Sequence, residues 1–309
     1  MVKELDMKTV LITGGRGLIG QYLARQLLRK GYKVIIMSRN TNPLPDLEVI
    51  AWRADRTSLS DVIRGADYII HLAGADIIAK NWTAQRKQEI VDSRVESAQF
   101  ILEILNAQDH ACKAFISASA VGYYGTSAST STFTESDVPA ADFIGNTCKL
   151  WEEAADRFQG QGIRTVKLRM GVVLVNGGRV LDQPALATKM WLGSAIGSGN
   201  QPFPWIHIDD LCSMYIRALE DEGMAGAFNA VAPHQVSNKE FATTLAQVLR
   251  KPLWLPNIPT PLVKLFLGER AGLVLNGNRV SAKKIMSQGY DFQFPELQQA
   301  LRSLLIDTR

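Results

Sequence analysis

Three glycines, Gly14, Gly17 and Gly20, follow a short run of aliphatic and β-branched residues. The run, residues 9–13, predicts a buried strand, and the apolar spacing over residues 18–29 predicts a helix. Glycines at a strand-to-helix turn expose backbone N–H groups at the positive end of the helix dipole, where an anion binds. Gly14 permits the tight turn, Gly17 removes a Cβ that would strike phosphates, and Gly20 lets helix and strand pack closely. The turn therefore predicts a dinucleotide site formed by Gly14, Gly15, Arg16, Gly17, Leu18, Ile19 and Gly20.

The second predicted strand ends in Ser38 and Arg39, without a carboxylate. Sites that prefer NAD(H) usually place an acidic residue here, where it binds the ribose hydroxyls. Arg39 can instead make a bidentate contact with a 2′-phosphate, and Arg16 can supply a second positive charge. The alternative is that both arginines are ordinary solvent-facing charges. The sequence favours NADP(H) over NAD(H), and Asp55 is expected either to contact the adenine or to cap the next helix.

Short apolar runs alternate with longer amphipathic stretches up to about residue 175, a pattern typical of buried parallel strands joined by crossover helices. We predict strands at residues 9–13, 33–37, 47–52, 68–72, 114–117 and 165–168, and helices at 18–29, 59–64, 83–105 and 144–158. Later helices are predicted at 210–220, 238–249, 262–267 and 297–305, among glycine- and proline-rich connections. The predicted fold is an α/β doubly wound parallel sheet (Rossmann) in residues 1–175, followed by a smaller, mixed, mostly helical substrate lobe. This lobe takes up residues 176–309, and its elements at about 205–232 return to the first domain.

The composition narrows the possible partners. The chain has 309 residues, 46% of them hydrophobic, and a net charge of +4 that is not gathered into a basic run, so no nucleic-acid partner is expected. Cys112, Cys148 and Cys212 are odd in number and lack the paired spacing of a zinc or redox site, which predicts reduced thiols and no metal. No stretch supplies the roughly 18 apolar residues of a spanning helix. We expect a cytoplasmic monomer or homodimer, without membrane contact, that binds a small-molecule substrate.

Further motifs lie at the ends of other predicted strands and along the rest of the chain. They are His71-Leu72-Ala73-Gly74, Ser93-Arg94-Val95-Glu96-Ser97, Ser119-Ala120-Val121-Gly122-Tyr123-Tyr124-Gly125, Leu168-Arg169-Met170-Gly171, Trp205-Ile206-His207-Ile208-Asp209-Asp210 and Leu267-Gly268-Glu269-Arg270. With the glycine turn, they resemble the atypical "epimerase family" branch of the extended short-chain dehydrogenase/reductases, over essentially the whole chain. The resemblance implies an NADP-dependent oxidoreductase or epimerase acting on an unidentified small carbonyl or sugar-like substrate. Because cofactors sit beyond the carboxyl ends of parallel strands, Leu72, Ala73 and Gly74 are expected beside the dinucleotide.

The expected catalytic residues are incomplete. In the parent superfamily a serine polarises the carbonyl, a tyrosine passes the proton, and a lysine four residues later lowers the tyrosine pKa and binds the nicotinamide ribose. Ser119 matches the serine. The tyrosine is missing, because Gly145 lies four residues before Lys149 and Ile144 four before Cys148. The resemblance places Cys148 at the lysine position beside the cofactor, with Lys149 turned about 100° away on the helix.

Other residues remain as candidates for the missing proton donor. Tyr123 or Tyr124 could serve as acid or base, or could pack or stack on a ligand. Lys149 could still reach the cofactor ribose if the helix is rotated. Cys148 is more simply explained as a small buried residue than as a nucleophile, and His207 as the site of a structural hydrogen bond.

Gln201 and Trp205 lie near glycine-rich connections and are candidates for substrate contact, while Trp82 is either a lid residue or simple packing. The lost tyrosine leaves a second hypothesis open. In it, the chain is a catalytically inactive NADP(H)-binding sensor or regulatory protein.

Overall fold

The computed structural model describes residues 7–52, 56–126 and 131–307. Asp55, which was predicted near the adenine or at a helix cap, lies outside the described residues. Cys112, Cys148 and Cys212 are buried free thiols. Within the described part of the chain, no helix is both long enough and apolar enough to cross a membrane.

A seven-stranded, fully parallel sheet forms the centre of the molecule, in the order β3-β2-β1-β4-β5-β7-β11. Its strands are β1 (Thr9–Thr13), β2 (Lys33–Ser38), β3 (Glu48–Ala51), β4 (Tyr68–His71), β5 (Ala114–Ala120), β7 (Arg164–Met170) and β11 (Gly226–Ala230). The strand order reverses between β1 and β4, so their carboxyl ends border the crevice where ligands bind in such sheets. The short strands are β6 (Thr132–Phe133), β8 (Val172–Leu174), β9 (Pro202–Phe203), β10 (Trp205–His207), β12 (Val236–Ser237) and β13 (Arg279–Val280).

Helices cover both faces of the sheet, which confirms the predicted doubly wound fold. They are α1 (Leu18–Arg29), α2 (Arg56–Gly65), α3 (Ala84–Ala107), α4 (Phe143–Asp156), α5 (Arg179–Lys189), α6 (Ile208–Glu220), α7 (Asn238–Val248), α8 (Thr260–Leu267), α9 (Gly272–Leu275), α10 (Lys283–Ser287) and α11 (Leu297–Leu305). Strand side chains alternate between the two faces, so that Val10 and Ile12 pack with α1 and α6 while Leu11 packs with α2 and α3. The sheet is thereby buried on both sides.

Helix α4 is shorter than predicted, because it ends at Asp156 and passes into a 3₁₀ turn, Arg157–Gln161. Gly162 follows with a φ of 72°, a conformation that ends the helical path without a Cβ penalty. Asp142 is the N-cap of the helix, and its carboxylate accepts a hydrogen bond from the N–H of Gly145 at 2.7 Å. This bond satisfies one of the backbone donors at the start of α4.

The second half of the chain contributes elements to the main sheet and also forms smaller pairings outside it. Helix α6 packs on α1, and β11 extends the main sheet beside β7. The remaining elements form three two-stranded pairings, β8 with β10, β9 with β12 and β6 with β13. Helices α5 and α7–α11 connect these pairings and lie outside the main sheet. The β6-β13 pairing joins residues 279–280 to residues 132–133, which follow β5 in the chain.

Candidate dinucleotide and substrate site

The glycine turn lies where the chain leaves β1 for α1. Gly14 has a φ of 68°, and a Cβ at this position would lie 2.7 Å from the carbonyl carbon of Leu72. A Cβ at Gly20 would lie 2.5 Å from the Cα of Gly15. At Gly17, in contrast, a Cβ would meet only the carbonyl oxygen of Gly14 among the described residues, at 3.2 Å. Gly14 and Gly20 are therefore required by packing, while Gly17 keeps the outer side of the turn clear.

The first turn of α1 leaves backbone donors free. No side chain in the described part of the chain caps the helix at Gly17, and the first backbone bond runs from the N–H of Gln21 to the carbonyl of Gly17 at 3.0 Å. The N–H groups of Leu18 and Ile19 precede that bond and point out of the helix end. Two donors at the positive end of a helix dipole form a site for one phosphate group.

Arg16, in the same turn, holds buried donors without a partner. Its Nε and Nη2 atoms are shielded from solvent and make no hydrogen bond within the described residues. Arg39 is exposed at the end of β2, and the hydroxyl of Ser38 accepts a hydrogen bond from the N–H of Asn40 at 3.2 Å. Buried donors are nearly always satisfied in native proteins. The unpaired guanidinium atoms therefore fit an anionic group that the protein itself does not supply.

The segment after β4 packs directly on the glycine turn. The N–H of Leu72 donates to the carbonyl of Thr13 at 3.1 Å, and the N–H of Ala73 donates to the Thr13 hydroxyl at 3.3 Å. A Cβ at Gly74 would lie 2.9 Å from the Cζ of Arg94 on α3. The structure thus brings residues 72–74 together with the glycine turn.

Arg94 is a residue of this site that sequence reasoning missed. Its guanidinium donates to the carbonyls of Ala75 at 3.2 Å and Ile90 at 2.8 Å, and its Cζ lies 4.8 Å from the ring centroid of Trp151. The Ser93-Arg94-Val95-Glu96-Ser97 motif does not by itself predict a role for the arginine. Its contact with Gly74 joins residues 20 positions apart in sequence, which no local pattern shows. Arg94 holds the turn that follows β4.

His71, at the end of β4, is buried below this arginine. Its Nδ1 accepts a hydrogen bond from the indole N–H of Trp151 at 3.4 Å, so its Nε2 carries the proton that is donated to the Ser97 hydroxyl at 2.7 Å. Burial, reinforced by the charge of Arg94, lowers the His71 pKa to about 3. His71 is therefore a neutral, structural histidine.

The carboxyl ends of β5 and β7 are joined by a buried ion pair between Glu152 of α4 and Arg169 of β7. Arg169 Nε lies 2.8 Å from Glu152 Oε1, and Arg169 Nη2 lies 2.9 Å from Oε2. The hydroxyl of Ser119 donates to the same carboxylate at 2.6 Å. Arg169 Nη1 donates to the hydroxyl of Tyr124 at 3.0 Å, and that hydroxyl donates to Asn229 at 2.6 Å. We call these five residues the β5-β7 network.

This network changes the roles predicted for Ser119 and Tyr124. The Ser119 side chain is fully buried and its proton is committed to Glu152, so it does not present a hydroxyl to a substrate carbonyl. The hydroxyl of Tyr124 is occupied on both sides, and burial raises the pKa of this tyrosine to about 12. Both residues stabilise the site rather than face it.

Tyr123 is the predicted acid that stays partly accessible. The Cζ of Arg169 lies 3.5 Å from its ring centroid, a cation–π contact that fixes the ring at the edge of the β5-β7 network. Burial raises the pKa of Tyr123, against the opposing charge of Arg169. The tyrosine is therefore a protonated, oriented side chain at the carboxyl end of β5.

One of the two positions that could hold the missing tyrosine, Gly145, is closed by packing. A Cβ at Gly145 would lie 2.3 Å from the carbonyl oxygen of Ala140, so a larger residue does not fit there. Cys148 is 4% exposed, and burial raises its pKa to about 12, which identifies an unreactive thiol. Lys149 points the other way: its side chain is 50% exposed and its Nζ lies 3.7 Å from Glu153. The structure therefore departs from the prediction that Lys149 acts in the site.

The predicted substrate residues are engaged elsewhere. Trp205 is 1% exposed, and its indole N–H donates to the carbonyl of His234 at 3.2 Å, so it belongs to the core rather than to a binding surface. The amide of Gln201 donates to the carbonyls of Ile196 at 2.9 Å and Val274 at 3.0 Å. These bonds connect the segment before Gln201 with the segment around Val274 in the second half of the chain.

Two further interpretations concern packing. His207 accepts a hydrogen bond from the N–H of Asp209 at 3.1 Å and caps α6, which confirms its structural role. Trp82 donates to the carbonyl of Ile77 at 2.8 Å and packs edge-on against Phe143, with ring centroids 5.1 Å apart. The contacts of Trp82 are those of a packed residue at the start of α3.

Comparison with known proteins supports the interpretation of the glycine turn as a dinucleotide site. The profile of the NAD dependent epimerase/dehydratase family matches residues 10–230, and that of a domain of unknown function, DUF1731, matches residues 258–304. The chain is 35% identical to the epimerase family protein YfhF of Bacillus subtilis over 303 residues, which cover 97% of this chain and 99% of the relative.

Solved structures give a similar result. The human epimerase family protein SDR39U1, crystallised with NADPH, is 34% identical, with a TM-score of 0.87 over 96% of this chain and 98% of the human one. A nucleoside-diphosphate sugar epimerase from Corynebacterium glutamicum is 31% identical, with a TM-score of 0.76 over 97% of this chain and 58% of that one. The unpaired donors of the glycine turn, the parallel sheet and these likenesses agree, and the chain belongs to the NAD-dependent epimerase/dehydratase family as one of its atypical short-chain dehydrogenase/reductase members.

Proposed function

We propose that this chain binds NADP(H) at the glycine turn. The observation that carries the proposal is the guanidinium of Arg16, whose buried Nε and Nη2 atoms have no partner among the described residues. The end of β2, in addition, carries no carboxylate. A 2′-phosphate has the charge and the acceptor oxygens that these donors require. The human relative that was crystallised with NADPH supports the same choice of cofactor.

Each part of the cofactor has residues suited to hold it. The N–H groups of Leu18 and Ile19 suit the pyrophosphate, and Arg16 with Arg39 suits the 2′-phosphate. Residues 72–74 border the path toward the nicotinamide, at the carboxyl end of β4. Bound NADPH supplies a hydride, and bound NADP⁺ accepts one.

For the reaction, we propose oxidoreduction or epimerisation of a small carbonyl or sugar-like substrate. Tyr123 is the proton donor or acceptor, because it is the predicted acid that the β5-β7 network leaves partly accessible. Arg169 orients the tyrosine ring and favours its ionised form, as a cation beside a general acid does. Ser119 and Lys149 take no part in this scheme.

Isothermal titration of NADPH and NADH into the purified chain tests the cofactor assignment. Arg16→Ala and Arg39→Ala should each weaken NADPH binding by about 1.5 to 3 kcal/mol, since each removes a charge-assisted hydrogen bond. NADH binding should hardly change. Arg25→Ala is the matched control, because Arg25 is exposed on α1, two turns beyond the glycine turn. Equal losses for both cofactors would contradict the assignment.

A second candidate is a catalytically inactive NADP(H) sensor. It is favoured by the closed position at Gly145 and by the commitment of Ser119 to Glu152. NADPH consumption over a panel of carbonyl compounds, together with thermal shift measurements, separates the two. Turnover that is lost in Tyr123→Phe supports the enzyme, whereas strong stabilisation by NADP⁺ without any turnover supports the sensor.

A further inference from the structure

One C-terminal segment touches two of the loops that follow strands at the carboxyl edge of the sheet. We call residues 267–281 the C-terminal clasp; it lies within the matched domain of unknown function and contains α9 and β13. The first loop, residues 76–83, follows β4. The second, residues 121–125, follows β5 and carries Tyr123.

The first contact of the clasp is made by Arg270. Its Nη1 donates to the carbonyl of Ile78 at 2.7 Å, and its Nη2 donates to the side-chain oxygen of Asn81. The neighbouring Glu269 lies 2.6 Å from the Nζ of Lys87, one turn into α3. A planar guanidinium with two bonds to one loop sets its position and its orientation together.

The second contact is made by Asn278, which is 4% exposed. Its Nδ2 donates to the carbonyls of Tyr124 at 3.1 Å and Gly125 at 2.9 Å. These two bonds hold the backbone on the carboxyl side of Tyr123. Gly277 fixes the approach of the clasp, because a Cβ there would lie 2.0 Å from the carbonyl oxygen of Pro202.

The two contacts of the clasp lie away from the proposed 2′-phosphate site. Loop 121–125 carries Tyr123, the proposed proton donor, so the nicotinamide must come close to it, and the clasp that holds this loop also holds loop 76–83. The adenosine side is formed by Arg16, by the first turn of α1 and by the end of β2, and no hydrogen bond or ion pair within the described residues joins these to the clasp.

We propose that Arg270 and Asn278 are positioning residues that set the two loops for the nicotinamide half of NADP(H). The proposal rests on the proposed function and gives the C-terminal domain a role in it. Loops that the clasp holds in place before binding need not be ordered when the ligand arrives, so the clasp contributes affinity without touching the cofactor. Its effect is confined to ligands that reach the two loops.

The test compares two probes in the full chain, NADPH and 2′,5′-ADP, which lacks the nicotinamide half. In Arg270→Ala, the Kd for NADPH should rise about three- to tenfold, the range for one or two lost hydrogen bonds, while the Kd for 2′,5′-ADP stays unchanged. The fluorescence of bound NADPH should shift toward that of free NADPH, because it reports the surroundings of the nicotinamide. Arg270→Lys, which keeps the charge but has a single donor nitrogen in place of the planar fork, should recover part of the affinity.

Arg279→Ala is the matched control, because Arg279 is exposed in the same clasp and its side chain makes no hydrogen bond or ion pair within the described residues. Asn278→Ala should give the same split between the probes; if it fails to fold, the Arg270 variants decide. Unchanged NADPH affinity in Arg270→Ala, or equal losses for both probes, would overturn the positioning role alone. Failure of the unmodified chain to bind either probe would overturn the proposed function and the positioning role with it.

Discussion

The glycine turn and the β5-β7 network lie at the same edge of one sheet, yet they differ in whether their polar groups are paired within the protein. At the turn, donors of Arg16 and of the first turn of α1 have no partner among the residues that the structure describes. In the network, the hydroxyls of Ser119 and Tyr124 are all paired within the protein. Unpaired buried donors indicate a place reserved for a ligand, whereas a closed network indicates a rigid wall.

The difference matters because both regions carry residues that the family resemblance marks as functional. The resemblance alone assigns Ser119 a substrate carbonyl to polarise, but the geometry gives its proton to Glu152. A buried ion pair contributes little net stability as a pair, but losing one partner is costly, because the other charge stays buried alone. The network is thus expected to be sensitive to substitution without being a place of chemistry.

The largest test of this contrast is Glu152→Ala, which removes the acceptor shared by Ser119 and Arg169. Because the Arg169 charge would be left buried and unpaired, the free energy of unfolding should fall by about 3 to 5 kcal/mol. Urea unfolding measures this, with the exposed neighbour Glu153→Ala as control, for which a change within about 0.5 kcal/mol is expected. A loss below about 1 kcal/mol for Glu152→Ala would show that the network does not act as a rigid wall.

An intermediate effect is expected from His71, which lies between the two regions. Its pKa of about 3 in the native state is below the value of about 6.5 expected when unfolded, so the unfolded chain binds more protons below pH 6.5. The free energy of unfolding should therefore fall by about 1.4 kcal/mol per pH unit as the pH drops from 6.5 toward 3, about 2 kcal/mol at pH 5.

Urea unfolding at pH 7.5, 6 and 5 measures this pH dependence. His71→Asn should remove the contribution of His71 to the slope of the unfolding free energy against pH. His207 contributes in the same direction, because burial lowers its pKa to about 4, so part of the slope remains. His234→Gln, at an exposed position, is the control. The same slope in His71→Asn and in the unmodified chain would contradict the buried, neutral histidine.

The smallest effect is expected from Lys149, which would reach the cofactor ribose only if α4 were rotated. Its ammonium faces solvent beside Glu153, an exposed pair worth about 0.3 to 0.5 kcal/mol. Lys149→Ala should therefore lower the free energy of unfolding by no more than that and leave the NADPH affinity unchanged. A marked loss of NADPH affinity would show that α4 rotates on binding.

The sequence predicted what local spacing and turn chemistry determine. The strand, turn and helix around Gly14, Gly17 and Gly20 lie where predicted, and the parallel sheet follows from the alternation of apolar runs. The partners of Ser119 and Arg94 were not predictable, because Glu152 is 33 residues from Ser119, and Arg94 is 57 residues from Trp151. Such contacts depend on how α3 and α4 are rotated on the sheet, and periodicity does not set that rotation to within one residue.

The carbonyl of Ala140, described above as lying against Gly145, also limits what protein engineering can restore. A single exchange to tyrosine would put the new side chain where a backbone oxygen already stands, 2.3 Å from its first carbon. A Tyr-x-x-x-Lys motif that ends at Lys149 therefore requires rebuilding the connection before α4 along with residue 145 itself. For this spacing, the missing tyrosine is a matter of the loop that fills the space as well as of the residue.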